Sequence, residues 1–360
     1  MQSPERIDVT KTFLPPIDEY WSYLNQIWET HQLTNQGPLL LEFERQVIKY
    51  LDVQSLHFVA NGTMALQLAL RALNINGSEV ITTPFSYVAT TSSILWENCY
   101  PKFVDIDPES LCIDPNKIEA AITRRTKAIM PVHVFGHPCD VEKIELIARK
   151  HKLKVIYDGA HAFGVKYQGR SLLDYGDISV CSFHATKLFH TIEGGCLITK
   201  NTKTSNNIEL IKRFGHHGDD YHMLGINGKA TEFQAAMGLC NLKYIDDIIK
   251  DRQKVSRLYD KFLDDRLNSP TIKKGTKYNY AYYPIILERE SILLKAIKKL
   301  NAINVFPRRY FYPSLNTLPY LKSTQSCPVS EDISKRIMCL PLYYGLKSET
   351  AKNICKVLLK

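Results

Sequence analysis

A chain of 360 residues with a formal net charge of +9, 44% hydrophobic and 23% charged residues has the make-up of a core-forming globular protein, which excludes a disordered one. At roughly 150 residues per domain it accommodates about two domains, or one large α/β domain with an appendage. Its basic residues are scattered rather than blocked, which argues against a nucleic-acid tail and fits either a solvated basic surface or attraction for a polyanionic small molecule such as a nucleotide.

The start, MQSPERIDVTK, has no apolar h-region, and no apolar run reaches membrane-spanning length. The nine cysteines are odd in number, form no CxxC pair and in several cases lie inside apolar runs. They read as buried free thiols in a reducing compartment, so a cytoplasmic location is expected and no metal is. No internal repeat or low-complexity tract is present.

The first chemistry-bearing stretch is NGTMALQLALRAL, 61–73. Asn61 and Gly62 make a turn, and Thr63 opens an amphipathic helix. Free N–H groups, a hydroxyl and the positive end of a helix dipole suit a phosphate there, although a helix start that merely needs a cap has the same appearance. A strand is predicted at 79–82, and TTPFSYVATT after it offers Phe85 and Tyr87 as aromatic faces. Further strands are predicted at 102–104, 128–132, 155–157 and 178–182, with helices at 116–121 and 141–151. Short apolar strands alternating with helices predict a mainly parallel, doubly covered sheet, an α/β fold.

VIYDGAHAFG, 155–164, places Asp158 at the carboxyl end of a strand, where ligands collect in open α/β sheets. An Asp that only caps the following turn is the plainer reading, and His161 nearby can equally be structural. SFHATKLFHTIEGG, 182–195, places Lys187 just beyond the next strand, with Ser182 and Thr186 close by. An ammonium there is costly unless it is paired, neutral or covalently used. A phosphate-binding helix start, an acid after one strand and a lysine after the next are together the parts a pyridoxal phosphate site needs. The phosphate needs donors, the pyridine nitrogen needs an acid, the aldehyde needs an amine, and the ring face takes an aromatic.

Thr231 and Gln234 have capping-box spacing, and Phe233, Met237, Cys240, Tyr244 and Ile248 then share one helix face. One long helix is predicted from Thr231 to about Asp265, followed by a loop at 268–280 and a smaller α/β layer. The predicted division is a large domain, 1–247, with its N-terminal segment, and a small C-terminal domain, 248–360.

These blocks, with LTNQGPLLLEFE (33–44), FVDIDPESLCIDPNKIEAAIT (103–123), KAIMPVHVFGHPCD (127–140), GINGKATEFQAAMGL (225–239) and CPVSEDISKRIMCLPLYYGL (327–346), give the chain its resemblance to a known family. It resembles the DegT/StrS-type nucleotide-sugar aminotransferases, which use pyridoxal 5'-phosphate on the fold-type I aminotransferase scaffold. The resemblance implies that Lys187 takes the cofactor aldehyde covalently and that Asp158 binds the pyridine nitrogen. It implies that Tyr87 stacks on the ring, that Gly62, Thr63 and Ser182 hold the phosphate, and that His161, where the family usually has Gln, meets the ring hydroxyl. Asn227 would reach the phosphate of the partner subunit, so a homodimer is implied. Glu193 stands where the family often has Asp, and no role is carried to it.

Within the family the chain is similar to the C4 aminotransferases acting on dTDP-4-dehydro-6-deoxyglucose with L-glutamate as donor, which serve surface polysaccharides such as O-antigen. In RRYFYPSLNTLPY, 308–320, Arg308, Arg309 and Tyr310 can meet the nucleotide diphosphate, although two adjacent arginines also suit a solvated loop. Transfer to C3, a galacto rather than gluco product, and a non-catalytic sensor on the same fold stay open. A pyridoxamine-dependent dehydratase would typically carry a histidine in place of Lys187.

Overall fold

The computed structural model describes residues 6–263, 266–321 and 325–360. Its main sheet has seven strands: β1 (Leu56–Val59), β2 (Glu79–Thr82), β3 (Tyr100–Phe103), β4 (Thr126–Met130), β5 (Lys154–Asp158), β6 (Ile178–Ser182) and β7 (Gly195–Ile198). They lie in the order β1-β7-β6-β5-β4-β2-β3. β3 to β6 and β2 pair in parallel, whereas β7 runs antiparallel to both β1 and β6. The strands predicted from apolar runs are present, three of them displaced by one or two residues. β1 and β7 were not predicted, and β7 hides behind the glycines of the EGG turn.

Alternation within the strands builds a core on each face. Ile129 and Tyr157 join one cluster while Ala128, Met130 and Ile156 join the other. Helix α2 (Pro38–Leu51) packs on the first face and α3 (Gly62–Ala72) on the second. Helices α4 (Ala89–Trp96), α5 (Pro115–Ala121) and α6 (Val141–His151) form further crossovers, and α7 (Thr202–Ile211) follows the last strand, β7.

The single long helix predicted after Thr231 is two, α8 (Glu232–Leu242) and α9 (Ile245–Leu263). The capping box is present: Gln234 N–H donates to the Thr231 hydroxyl, and Gln234 Oε1 accepts from Thr231 N–H. The break falls at Lys243 and Tyr244. Both residues bond the Glu19 carboxylate of α1 (Ile17–Thr30), the ammonium at 2.7 Å, so a contact from far along the chain interrupts the local helical preference.

Beyond α9 come an antiparallel pair, β8 (Tyr283–Ile286) and β9 (Ile337–Leu340), and helices α10 (Glu290–Asn301), α11 (Pro328–Arg336) and α12 (Ser348–Leu358). They enclose a separate core that includes Val255, Tyr259, Leu293, Leu340 and Ile354. The N-terminal Ile7–Asp8 pairs in parallel with Val305–Phe306 of this layer. Thr276–Lys277, Lys166–Tyr167 and Arg170–Ser171 make a separate three-stranded sheet. Among the described residues no helix is long and apolar enough to cross a membrane.

Candidate active site

Lys187 lies in the loop between β6 and β7. The loop is closed by Phe183 N–H donating to the Gly194 carbonyl at 2.8 Å and Thr191 N–H donating to Phe183 at 2.9 Å. Phe183 and Phe189 anchor its two sides in an aromatic cluster with Phe43, Phe58 and Phe163, where the Phe163 and Phe189 rings stack with centroids 4.2 Å apart. His190 is consumed structurally: Nε2 donates to the Phe13 carbonyl at 2.7 Å. His184 faces the Glu193 carboxylate at 3.5 Å across the loop, which gives the acid before the two glycines a local partner. The lysine is therefore presented by a tightly held turn rather than a mobile tip.

Asp158 ends β5 and is buried. One carboxylate oxygen accepts from the Thr90 hydroxyl at 2.7 Å, the other from Ala160 N–H at 3.1 Å. Thr90 is itself bonded to the Ser86 hydroxyl at 2.8 Å. Burial pushes the Asp158 carboxyl above the usual range, while Thr90, Ala160 and the Lys187 charge draw it back. Burial lowers the Lys187 ammonium, against the opposing influence of Tyr310, Asp158, Cys181 and Tyr87. Tyr310 is pushed up to about 12, chiefly by burial, so it is a neutral phenol at neutral pH and presents no charge to the lysine there.

His161 is buried, its ring parallel to Phe311 at 5.8 Å and edge-on to Tyr282 at 4.9 Å. Burial, then Lys187 and His137, hold it well below its ordinary range, so the imidazole is neutral. Its Nδ1 is buried and has no partner among the described residues.

The cradle at the start of α3 is built by close approach. Asn61 caps Met64 N–H at 2.8 Å and leaves the Gly62 and Thr63 N–H groups without partners among the described residues. A Cβ on Gly62 would lie 3.0 Å from Ser182 Cβ, so the bare position 62 lets the β6 end and the helix start meet this closely without either giving way. A Cβ on Gly195 would strike Asn61 C and Gly62 N at 2.6 Å. The glycine that opens β7 thus allows the strand after the lysine to run directly beneath the helix start.

The structure therefore brings together Lys187, Asp158, His161, Tyr87 and Tyr310, with Gly62 and Ser182 in mutual contact. Tyr87 is 55% exposed in the single chain, while Phe85, its alternative in the same segment, is fully buried against Phe135 and Phe311. Arg308 is exposed, with its guanidinium 5.0 Å from the Tyr310 ring. Arg309 points elsewhere: it bonds Glu290 of α10 at 2.6 Å and the Lys335 carbonyl at 2.9 Å, and lies over the Tyr312 ring at 3.6 Å. Asn227 is exposed and forms a β-bridge with Arg213, with no hydrogen bond to these groups among the described residues. Thr90 and Phe311 were not among the predicted residues. Thr90 was open to discovery, three residues after Tyr87 at helical spacing, whereas Phe311 carries no local signal.

The polar atoms left unspent are those a pyridoxal phosphate needs. They are two helix-start N–H groups for the phosphate, a buried carboxylate for the pyridine nitrogen, an orphaned imidazole nitrogen for the ring hydroxyl, and an amine with no hydrogen-bond partner among the described residues. On this sheet, with this pair, the chain is a pyridoxal-phosphate-dependent nucleotide-sugar aminotransferase. It belongs to the DegT/DnrJ/EryC1/StrS aminotransferase family, whose profile matches residues 17–359.

The chain is 41% identical, over 98% of both chains, to a dTDP-4-amino-4,6-dideoxy-D-glucose transaminase of Shigella dysenteriae. The crystal structure of DesI in the presence of its TDP-sugar product matches with a TM-score of 0.93 and 28% identity, covering 99% of this chain and 93% of that one. The structure of ntda from Bacillus subtilis with bound cofactor pmp matches with a TM-score of 0.88 and 27% identity, covering 96% of this chain and 82% of that one.

Proposed function

We propose that the protein transfers the amino group of L-glutamate to C4 of dTDP-4-dehydro-6-deoxy-D-glucose, giving dTDP-4-amino-4,6-dideoxy-D-glucose for O-antigen or other lipopolysaccharide assembly in the cytoplasm. The observation that carries the chemistry is Lys187 facing buried Asp158 across the carboxyl ends of β5 and β6; the likeness to the Shigella dysenteriae transaminase supports the sugar. The buried state of all nine cysteines supports a reducing compartment.

Pyridoxal phosphate, when bound, supplies the electron sink that acidifies the carbon bonded to nitrogen. Asp158 holds a proton on the pyridine nitrogen, and Thr90 fixes the carboxylate for that bond. His161, neutral, donates to the ring hydroxyl from Nδ1. Gly62 and Thr63 N–H and Ser182 bind the phosphate, and Tyr87 covers the ring. Lys187 Nζ, whose ammonium burial lowers toward the neutral amine, takes the proton from the α-carbon of the donor and later delivers one to C4 of the sugar. Arg308 and Tyr310 meet the nucleotide diphosphate, and the Glu290 tether makes Arg309 a support of that loop.

The homodimer reading is supported by the exposed apolar side chains Trp28 (65%), Trp96 (77%), Tyr221 (77%) and Leu224 (81%), the last two in the same short segment of sequence as Asn227. Borohydride reduction followed by peptide mapping tests the lysine: label on Lys187 is expected, and label on any other lysine refutes it. Proton NMR of the product from dTDP-4-dehydro-6-deoxy-D-glucose and L-glutamate tests the sugar. Nitrogen at C3, the galacto epimer or no product overturns that part.

A further inference from the structure

The geometry points to a second ligand site, for a small dianionic oxyanion of the phosphate class, on the three-stranded sheet formed by Thr276–Lys277, Lys166–Tyr167 and Arg170–Ser171. In its register Lys277 stands opposite Lys166, and Lys166 opposite Ser171. Directly paired residues project to the same face of a sheet, so the three side chains form one row. All three line a cavity of about 190 Å³, together with Tyr50, Gly164 and Asp246.

Two observations give the row a purpose. Like charges placed directly opposite each other on adjacent strands repel, and neither Lys166 nor Lys277 has an ion-pair or hydrogen-bond partner among the described residues. Asp140 and Glu142, nearby, are held by Lys273 at 3.0 and 2.8 Å; Asp246, in the lining itself, accepts from the Tyr50 hydroxyl at 2.9 Å, which leaves two lysines facing one acid and a surplus of positive charge. Ser171, 2% exposed, carries a buried hydroxyl with no partner among the described residues. Buried hydroxyls are normally bonded, and exceptions call for a missing ligand, ion or water. Two ammonium groups and a hydroxyl are a donor set, and an oxyanion is what they bind together.

The cavity is smaller than the roughly 300–1,000 Å³ clefts that take drug-sized molecules, so the charged group it holds is compact. It adjoins a wider groove of about 640 Å³ that shares Tyr50, Gly164, Asp246 and Lys277 and adds Lys250, which leaves room for the organic part of a phosphate monoester. Lys187 and Asp158 line neither space.

Calorimetric titration of the cofactor-loaded enzyme with inorganic phosphate and with glycerol 3-phosphate, at constant ionic strength, tests this. Saturable binding is expected, weakened about tenfold or more by Lys166→Gln or Lys277→Gln, as loss of one charge-assisted bond predicts. It should be retained in Arg308→Gln. Tighter binding of the ester that Lys250→Gln abolishes identifies a monoester as occupant, and equal binding of the two identifies free phosphate. Bound-cofactor absorbance and turnover report whether the lysine variants are folded. Ser171→Ala is the second variant, expected to weaken binding without lowering the ligand-free melting temperature. Absence of saturable binding, binding indifferent to both lysines, or loss in Arg308→Gln instead overturns the proposal.

Discussion

Asp158 carries the sharpest expectation at the scale of single residues. Asp158→Asn keeps the shape of the site but cannot keep the pyridine nitrogen protonated. Cofactor absorbance should persist while kcat falls by about a hundredfold or more, within the range for loss of a positioned acid–base group. Near-normal turnover would remove Asp158 from the mechanism. Thr90→Val deletes a hydrogen bond that lowers the Asp158 pKa, so the carboxyl is protonated at higher pH. The acid limb of kcat/KM should therefore move upward in pH, and an unmoved limb counts against the coupling. Lys187 and Asp158 can be read from the sequence because Asp158 closes an apolar strand and Lys187 lies in the loop that leaves the next one. Thr90 is reachable only through its helix spacing from Tyr87. Arg308 and Arg309 look alike in the sequence, since the acid that claims Arg309 lies 19 positions away on another element.

At the scale of elements, the start of α2 depends on a side chain from α8. The buried Glu232 carboxylate accepts from Leu39 N–H at 2.8 Å and Leu40 N–H at 2.9 Å, an N-terminal cap supplied from 193 residues along the chain. Gly37, at the N-cap position, has no side chain to do this, so Glu232 satisfies donors that would otherwise be orphaned. Glu232→Ala should cost about 2–3 kcal/mol in denaturant unfolding, and Glu232→Gln less because one acceptor remains. Equal losses would show that packing rather than capping is at stake. The same distance effect explains the broken helix: a sequence window sees the apolar face running through Tyr244 but not Glu19. The central parallel strands could be read because each carries a short apolar run, such as Val155–Tyr157, whereas β7 could not, because its leading glycines resemble a turn.

For the molecule as a whole, acid stability should be governed in part by Glu209 on α7. Its carboxylate meets Lys212 at 2.9 Å and His57 at 3.2 Å, and it is held down to about 2 against the upward push of burial. A depressed carboxylate stabilises the fold above its unfolded pKa and loses that contribution as pH falls through the folded value. Melting temperature should therefore decline between about pH 4.5 and pH 2 with a component that Glu209→Ala abolishes. The variant is also destabilised near neutrality by on the order of 3 kcal/mol, because Lys212, 1% exposed, loses its 2.9 Å partner and is left, among the described residues, with Glu44 at 3.6 Å. Unchanged unfolding of Glu209→Ala at pH 7 would contradict this. We further propose that the large and small domains part on α9 close to residues 247–248: Ile248 still joins the first core, and Val255, further along the same helix, joins the second.

The bare contact between Gly195 and the backbone at Asn61–Gly62 has a genetic consequence. Every glycine codon is one base from an alanine codon, and a single methyl group at position 195 would have to fit where Asn61 C and Gly62 N lie 2.6 Å away. Gly195→Ala should shift the start of α3 and release the cofactor, which loss of the bound-cofactor absorbance would show; full cofactor occupancy would overturn this. A screen for strains lacking the amino sugar should then recover this glycine as readily as Lys187. Such alleles would be scored as catalytic nulls at a residue that has no side chain and touches no substrate.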